Sequence, residues 1–288
     1  MKVLVLGGGG QVARAVAACV PANHSVLVKT RNDLDITDDV ALTAELSECR
    51  ADWVVNGAAY TAVDRAEAEP DLARQINDMA VGALARAAVQ TGCRLLHLST
   101  DFVFDGKSNR AYAPNDPTNP LSVYGATKLG GEQQVLKYGG DAIILRTAWV
   151  YASSGRNFAL TMLRLLREKD EVRVVSDQIG APTWATGLAQ AIWSLIEEYA
   201  VGGIYHWADL GIASWYDFAT AIQDEALARG LLVRAVPVIP IATSEYPTPA
   251  KRPAFSVLDT RSTRNLIKAP ARHWRHNLRM MLNDLRSE

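Results

Sequence analysis

The chain holds 288 residues, 49% of them hydrophobic and 21% charged, with a formal net charge of −1. This is an ordinary globular composition, long enough for one large domain or two interlocked ones, and so small a net charge gives no general electrostatic argument for a nucleic acid or an anionic membrane as partner. Three widely spaced cysteines, Cys19, Cys49 and Cys93, without a C-x-x-C pair, read as free thiols of a reducing, cytosolic compartment, and the apolar start MKVLVLGGGG runs into glycine too early for a secretory or membrane segment.

Short β-branched runs alternate with helical patterns, the signature of βαβ units and a parallel sheet. KVLVL (2–6) reads as a buried strand and VARAVAACV (12–20) as a helix ending before Pro21. SVLVKT (25–30) and DWVVNGAA (52–59) are further strands. One long helix is expected within 71–91, where Ile76, Met79, Ala83, Leu84, Ala87 and Ala88 recur at helical spacing and Gly92 is the stop. RLLHLST (94–100) is a strand, followed by a loop at 105–120, a helix beginning near Ser122 and the strand AIILRT (142–147). Past about residue 150 the pattern loosens into helices at 157–168 and 184–199 and short strands at 171–175 and 203–207. Prolines at 237, 240, 247, 249 and 253 mark an irregular segment outside any regular layer. The fold class is therefore α/β: a Rossmann-type doubly wound parallel sheet over residues 1–152, with 153–288 mostly a smaller α+β substrate-binding domain and about 180–205 packing back on the first part.

The first strand enters Gly7-Gly8-Gly9-Gly10-Gln11-Val12-Ala13 and then a helix. Gly7, Gly10 and Ala13 fit G-x-x-G-x-x-[G/A], which lets backbone N–H groups approach a pyrophosphate at a helix N-terminus; a plain glycine turn is the alternative. The second strand ends in Lys29-Thr30-Arg31 with no acid before Asp33, so Arg31 points to the 2′-phosphate of NADPH rather than to NADH, unless it is simply solvated. Tyr124 and Lys128 stand one helical turn apart, an ordinary surface pair if taken alone. An ammonium beside a phenol stabilises the phenolate, however, and Thr100 ends the preceding strand, where parallel sheets place ligands. Thr100 and Tyr124 are candidates for hydrogen-bonding and protonating a carbonyl.

A glycine-rich first turn, a Ser/Thr at a later strand end and Tyr-x-x-x-Lys together resemble the extended short-chain dehydrogenase/reductase superfamily. The blocks GQVA, LDITD, VVNGAAYTAVDRAE, LSTDFVFDG, SVYGATKLGGE, RTAWVY, DQIGAPT and YPTPAKRPAFSVLDT, in order along nearly the whole chain, resemble the dTDP-4-dehydrorhamnose reductase family within it. That resemblance implies NADPH-dependent reduction of a nucleotide-sugar ketone. It implies that Gly10, Gln11 and Val12 line the cofactor pyrophosphate, that Asp35 and Ile36 lie beside the adenine, and that Ala59, Tyr60 and Thr61 border the nicotinamide half. Thr100, Tyr124 and Lys128 match the catalytic triad, with Lys128 also holding the nicotinamide ribose. Asp101 and Trp149 match residues on the deoxysugar, and Arg252 falls in the segment closing over the nucleotide of the substrate.

Some members are metal-bridged dimers with acidic ligands in the helix after GAPT and near the C-terminal tryptophan; the neighbouring residues here are Trp184, Thr186, Arg275 and His276, none of them acidic, which leaves magnesium unsupported and a monomer at least as plausible as a homodimer. The stretch Arg261–Arg279, with six Arg/Lys and no acid, reads as a solvated helix face, and His273 and His276 lack the partners of a zinc site. Phe158, Trp193 and Trp215 read as core. Two other readings share the fold. One is a nucleotide-sugar dehydratase or epimerase with bound NAD, although Phe102 stands where dehydratases carry a proton-transferring Glu. The other is a non-catalytic regulatory subunit of the methionine adenosyltransferase type.

Overall fold

The structure is a computed structural model that describes residues 1–285. Six strands form one parallel sheet: β1 (Lys2–Leu6), β2 (Ser25–Lys29), β3 (Trp53–Asn56), β4 (Arg94–Thr100), β5 (Ile143–Thr147) and β6 (Gly203–His206), in the order β6-β5-β4-β3-β1-β2. Strands covered on both faces lose the polar alternation of a half-exposed sheet, and β3 and β5 are accordingly buried at every position. Helices α1 (Gln11–Ala18), α2 (Asp39–Cys49), α3 (Ala80–Thr91), α4 (Val123–Tyr138), α5 (Phe158–Glu168), α6 (Ala185–Glu197), α7 (Trp215–Leu227) and α8 (Trp274–Asp284) supply the covering layers. One face packs on α2, α3 and α4 through Leu42, Leu46, Leu84 and Val135. The other packs on α1 and α6, where Trp193 is buried and its indole N–H donates to the Val16 carbonyl at 2.9 Å. A separate core joins α5, α7 and α8 around Phe218, Ile222, Leu278 and Met281.

Several elements differ from the sequence reading. The helix expected over 71–91 is interrupted: Pro70–Arg74 is α-helical, Gln75–Met79 is a π-helical turn, and α3 follows. The wider turn shifts the helical register, so Met79 lies 61% exposed instead of on the buried stripe. The proline-rich segment contributes a strand, Val238–Ile241, paired in parallel with Val172–Val175. Pro240 is tolerated because this is a two-stranded sheet, where a missing donor can face outward. Helices α2 and α7 were not read from the sequence; Asp38 caps the first by accepting from Val40 and Ala41 N–H, and a Ser214–Asp217 capping box starts the second. Among the described residues no helix is long and apolar enough to cross a membrane.

An ion pair sits within the sheet–helix interface. Arg146 of β5 donates from Nε and Nη2 to the two carboxylate oxygens of Glu132 at 2.8 and 2.6 Å, with the side chains only 2% and 1% exposed. Ser99 also donates to Glu132, and Arg146 Nη1 reaches the Pro114 carbonyl at 3.1 Å. Removing one partner strands a buried charge, so Arg146→Met is expected to lower the unfolding free energy in urea by about 3–5 kcal/mol, part of it recovered in the double variant with Glu132→Gln. A loss below about 1 kcal/mol for the single variant would show that the pair is not a structural anchor.

Candidate active site

The sheet order reverses beside β1, so the loops leaving β1 and β3 diverge and open a crevice at their carboxyl ends. Gly7 has φ +83°, and a Cβ there would meet the Gly57–Ala58 backbone at 2.7 Å. Gly10 is the N-cap of α1, and no side chain caps its first-turn N–H groups. Gly9 faces open space. These features leave a bare helix N-terminus in a cleft of about 430 Å³ lined by Gly7, Gly9, Gly10, Arg31, Asp35, Ile36, Ala59 and Thr61 among others. Such a cradle suits a dinucleotide pyrophosphate.

Of the other cofactor candidates, Arg31 is largely exposed and lies 3.4 Å from Asp35, whose carboxyl is held below the usual range by the Thr37 backbone N–H and hydroxyl. Gln11 and Val12 open the uncapped first turn of α1, and their side chains are held by other contacts. Gln11 donates to the Val150 carbonyl at 2.9 Å and receives Asn157 at 3.3 Å, while Val12 packs against the α1–α6 core. Tyr60 gives its hydroxyl to Glu69 at 2.6 Å. Its backbone is held from both sides by Asn77 of the π-helical turn, at 2.8 and 3.0 Å, and the same amide reaches Thr127 of α4 at 3.2 Å. Asn77 was not singled out in the sequence, because nothing in QINDM announces a π turn.

Helix α4 starts where Ser122 accepts from the Gly125 N–H at 3.2 Å. Gly125 lets the first turn close on the Phe102 carbonyl, which a Cβ would overlap. This seats Tyr124 against the end of β4: its phenol stands beside the Thr100 hydroxyl, and Phe102 meets its ring edge-on at 5.6 Å. Burial, with Asp101 adding to it, pushes the Tyr124 phenol up to about 12. Lys128, 3% exposed, points to the Leu98 carbonyl at 2.7 Å and His97 Nε2 at 3.2 Å. Burial lowers it to about 8 against the pull of Glu132. The expectation that Lys128 would depress the phenol is therefore not met in this arrangement: the lysine is turned to β4, and desolvation dominates the tyrosine.

Asp101 is 2% exposed, and burial raises it to about 6. Thr100 donates to its Oδ1 at 3.1 Å and the Ser256 hydroxyl stands beside the carboxyl, lowering it against the burial, while Oδ2 is buried without a well-formed hydrogen bond. Trp149 has φ +48°, an uncommon conformation for a bulky residue, and its indole stacks on Trp215 with centroids 3.5 Å apart and planes within 5°. Trp215 and Phe158, expected in the core, pack partly buried against its edge and also line a second cleft of about 570 Å³ with Gln178, Tyr246, Thr248 and Arg252. Arg252 forms a bidentate pair with Asp64 at 3.0 and 2.7 Å, and this holds the Asp64 carboxyl below its usual range. The basic run 261–279 is not a free cationic face: Arg275 and Arg279 both bind Glu225, Arg275 also binds Asp224, and Arg261 binds Asp259.

The RmlD substrate binding domain family model matches residues 1–287. A dTDP-4-dehydrorhamnose reductase of Burkholderia thailandensis is 40% identical over 100% of both chains. Among solved structures, a dTDP-4-dehydrorhamnose reductase of Clostridium acetobutylicum superposes with a TM-score of 0.93 at 38% identity, covering 99% of this chain and 100% of that one. The Bacillus anthracis dTDP-4-dehydrorhamnose reductase in complex with NADP gives a TM-score of 0.92 at 32% identity, covering 98% and 99%. With the glycine cradle, the Thr100–Tyr124 contact and full-length similarity in agreement, this chain belongs to the dTDP-4-dehydrorhamnose reductase family.

Proposed function

We propose that this protein reduces the C4 ketone of dTDP-6-deoxy-L-lyxo-4-hexulose (dTDP-4-dehydro-6-deoxy-L-mannose) with NADPH, giving dTDP-L-rhamnose, the last step of that nucleotide sugar's synthesis. The observation that carries the reading is the seating of Tyr124 beside Thr100 at the end of β4, fixed by the close approach of Gly125 to Phe102, with Lys128 one turn along α4. In this reading Gly7, Gly10 and the bare N-terminus of α1 receive the pyrophosphate, Arg31 the 2′-phosphate, Asp35 and Ile36 the adenine side, and Ala59 to Thr61 the nicotinamide side. Residues 1–152, with 180–205 packed back on them, form the dinucleotide half; 153–288 mostly form the sugar half. The three unpaired cysteines support a cytosolic setting, and the enzyme is taken as a monomer or homodimer that needs no magnesium.

The bound dinucleotide supplies a hydride at the sugar carbonyl carbon. Thr100 and Tyr124 direct hydroxyls at the carbonyl oxygen, stabilising the charge that develops there, and Tyr124 transfers its proton to that oxygen. A phenol held near 12 stays protonated across the physiological range, which suits a donor, and a sugar alkoxide is basic enough to take the proton. Asp101 Oδ2 accepts from a sugar hydroxyl, and Trp149, backed by Trp215, walls the sugar.

Three outcomes are expected. Oxidation of NADPH with dTDP-6-deoxy-L-lyxo-4-hexulose yields dTDP-L-rhamnose; Tyr124→Phe loses about 10²–10⁴-fold in kcat yet still binds NADPH by fluorescence titration, and turnover within tenfold of native removes the tyrosine from the mechanism. Arg31→Ala raises KM for NADPH while leaving that for NADH nearly unchanged, and equal effects on both would detach the arginine from the 2′-phosphate. For Asp101 the folded-state value of about 6 lies above the ordinary 3.8, so its contribution to stability is present below about pH 4 and is lost as pH rises through 6. Asp101→Asn is therefore stabilised relative to native by at most about 3 kcal/mol at pH 8, and this gain shrinks towards pH 5, while KM for the sugar rises. Thermal unfolding at the two pH values checks the sign.

A further inference from the structure

A bulky residue at φ +48° persists only where its surroundings over-determine it, and around Trp149 those surroundings grip the indole on both faces. Trp215 covers one face, with ring centroids 3.5 Å apart and planes within 5°. A Cβ on Gly180 would stand 2.5 Å from Trp149 Cε2, 2.7 Å from Nε1 and 2.8 Å from Cζ2. Cε2 lies between the other two, and an approach in the ring plane would bring the flanking atoms nearer than the central one. Gly180 therefore lies over the ring, and because Trp215 fills one face, Gly180 holds the other. The two walls of this slot are joined: Ile179–Gly180 pairs antiparallel with Ala213–Ser214, and Trp215 follows at the start of α7. Trp149 is still only half-buried, so what it leaves accessible is an edge.

Trp215 is fixed in turn. Its indole N–H can only donate, so the group it meets at 3.2 Å is the Gln178 side-chain oxygen, and Nε2 of that amide is left to donate to Thr243 Oγ1 at 3.1 Å. The Thr243 hydroxyl gives its hydrogen to Asp177 at 2.6 Å, which closes the chain. Phe158 packs on Trp215 at 4.6 Å and Phe218 on Phe158 at 5.6 Å, tying the stack to the core of α5 and α7. We propose that Trp215 is a positioning residue for the reduction: with Gly180 it clamps Trp149 on both faces, so that the nucleotide sugar meets the edge of that indole and not its face. The difference is chemical. An aromatic face is electron-rich and suits the C–H side of a pyranose, whereas the edge is electropositive and suits its oxygens. Trp215 also lines the cleft that holds Arg252, so one side chain borders both the sugar wall and the nucleotide side. The stack is a preformed wall and not a plug for substrate to expel, since withdrawing Trp215 breaks its bond to Gln178 and its packing on Phe158.

The inference rests on the proposed function for its role, but the clamp can be read without turnover. Stacked indoles give an exciton couplet in circular dichroism. It is expected in native protein, absent from Trp149→Phe and Trp215→Leu, and unchanged when dTDP-L-rhamnose and NADP⁺ bind. Trp215→Leu is expected to lower kcat/KM for the nucleotide sugar by about 10–100-fold through misplacement of Trp149, with NADPH affinity within about twofold of native. Trp215→Phe, which keeps an aromatic face, recovers most of that loss. Gly180→Ala attacks the clamp from the other side: Gly180 has no positive φ, and the three atoms nearest the new methyl all belong to Trp149. Its kinetic cost is expected to resemble that of Trp215→Leu and to vanish when Trp149 is already alanine. Native protein without a couplet, a couplet lost on adding the sugar nucleotide, or native kcat/KM in Trp215→Leu overturns the proposal. Native protein that shows the couplet and reduces no sugar keeps the clamp and overturns the assigned reaction.

Discussion

Helix α4 meets strand β4 through three side chains one turn apart. Tyr124 stands beside the Thr100 hydroxyl, Lys128 reaches the Leu98 carbonyl and the His97 ring, and Glu132 accepts from Ser99. The repeat of four residues on one helix face is set by the helical pitch, and the matching partners are consecutive along a strand whose end faces the crevice. Seating the helix this closely requires Gly125 and Gly131, where a Cβ would collide with the carbonyls of Phe102 and Asn77. The position of the phenol is thus fixed by a helix that cannot slide: Arg146 anchors Glu132 at one end, and the Ser122 cap with the Phe102 contact holds the other.

Hydrogen bonds also tie the two clefts together. Gln11, beside the glycine turn, bonds Val150 and Asn157, so the start of α1 is fastened to the strand after Trp149 and to the cap of α5. Asp64, just beyond the Tyr60 loop, bonds Arg252 of the proline-rich segment across 188 positions of sequence. A partly exposed pair of this kind contributes little to stability, but a bidentate fork fixes direction. Its value here is geometric: the wall formed by Tyr246, Thr248 and Arg252 is held at a set distance from the dinucleotide side.

The sheet was legible because buried parallel strands show as continuous apolar runs, and β1, β4 and β6 begin where such runs begin. The glycine turn and the Tyr124–Lys128 spacing were legible for the same local reason. Features set by tertiary packing were not. The π-helical turn has no distinctive sequence, and it changed which face Met79 occupies. Trp215 reads as core in the sequence, as a large aromatic, yet it lies at the edge of that core and meets Trp149. Lys128 reads from the sequence as a charge beside the tyrosine; its partners Leu98 and His97 in β4, and Asn56 of β3 behind His97, lie far away in sequence and leave no local pattern.

Two buried histidines under the site show how one side chain can favour opposite outcomes. His206 donates from Nδ1 to the Tyr112 carbonyl at 3.0 Å, which leaves Nε2 as an acceptor for Arg146 at 3.4 Å. A guanidinium does not deprotonate in proteins, so a neighbour of Arg146 has to take the accepting tautomer, and burial beside that charge brings His206 down to about 3. His97 receives its proton constraint from Asn56 rather than from a carbonyl, and the constraint has the reverse sense: Nε2 carries the hydrogen and faces Lys128 Nζ. Replacing a carbonyl by an amide N–H as the partner of Nδ1 thus reverses which ring nitrogen carries the hydrogen, and with it the face of the imidazole that each buried cationic side chain meets.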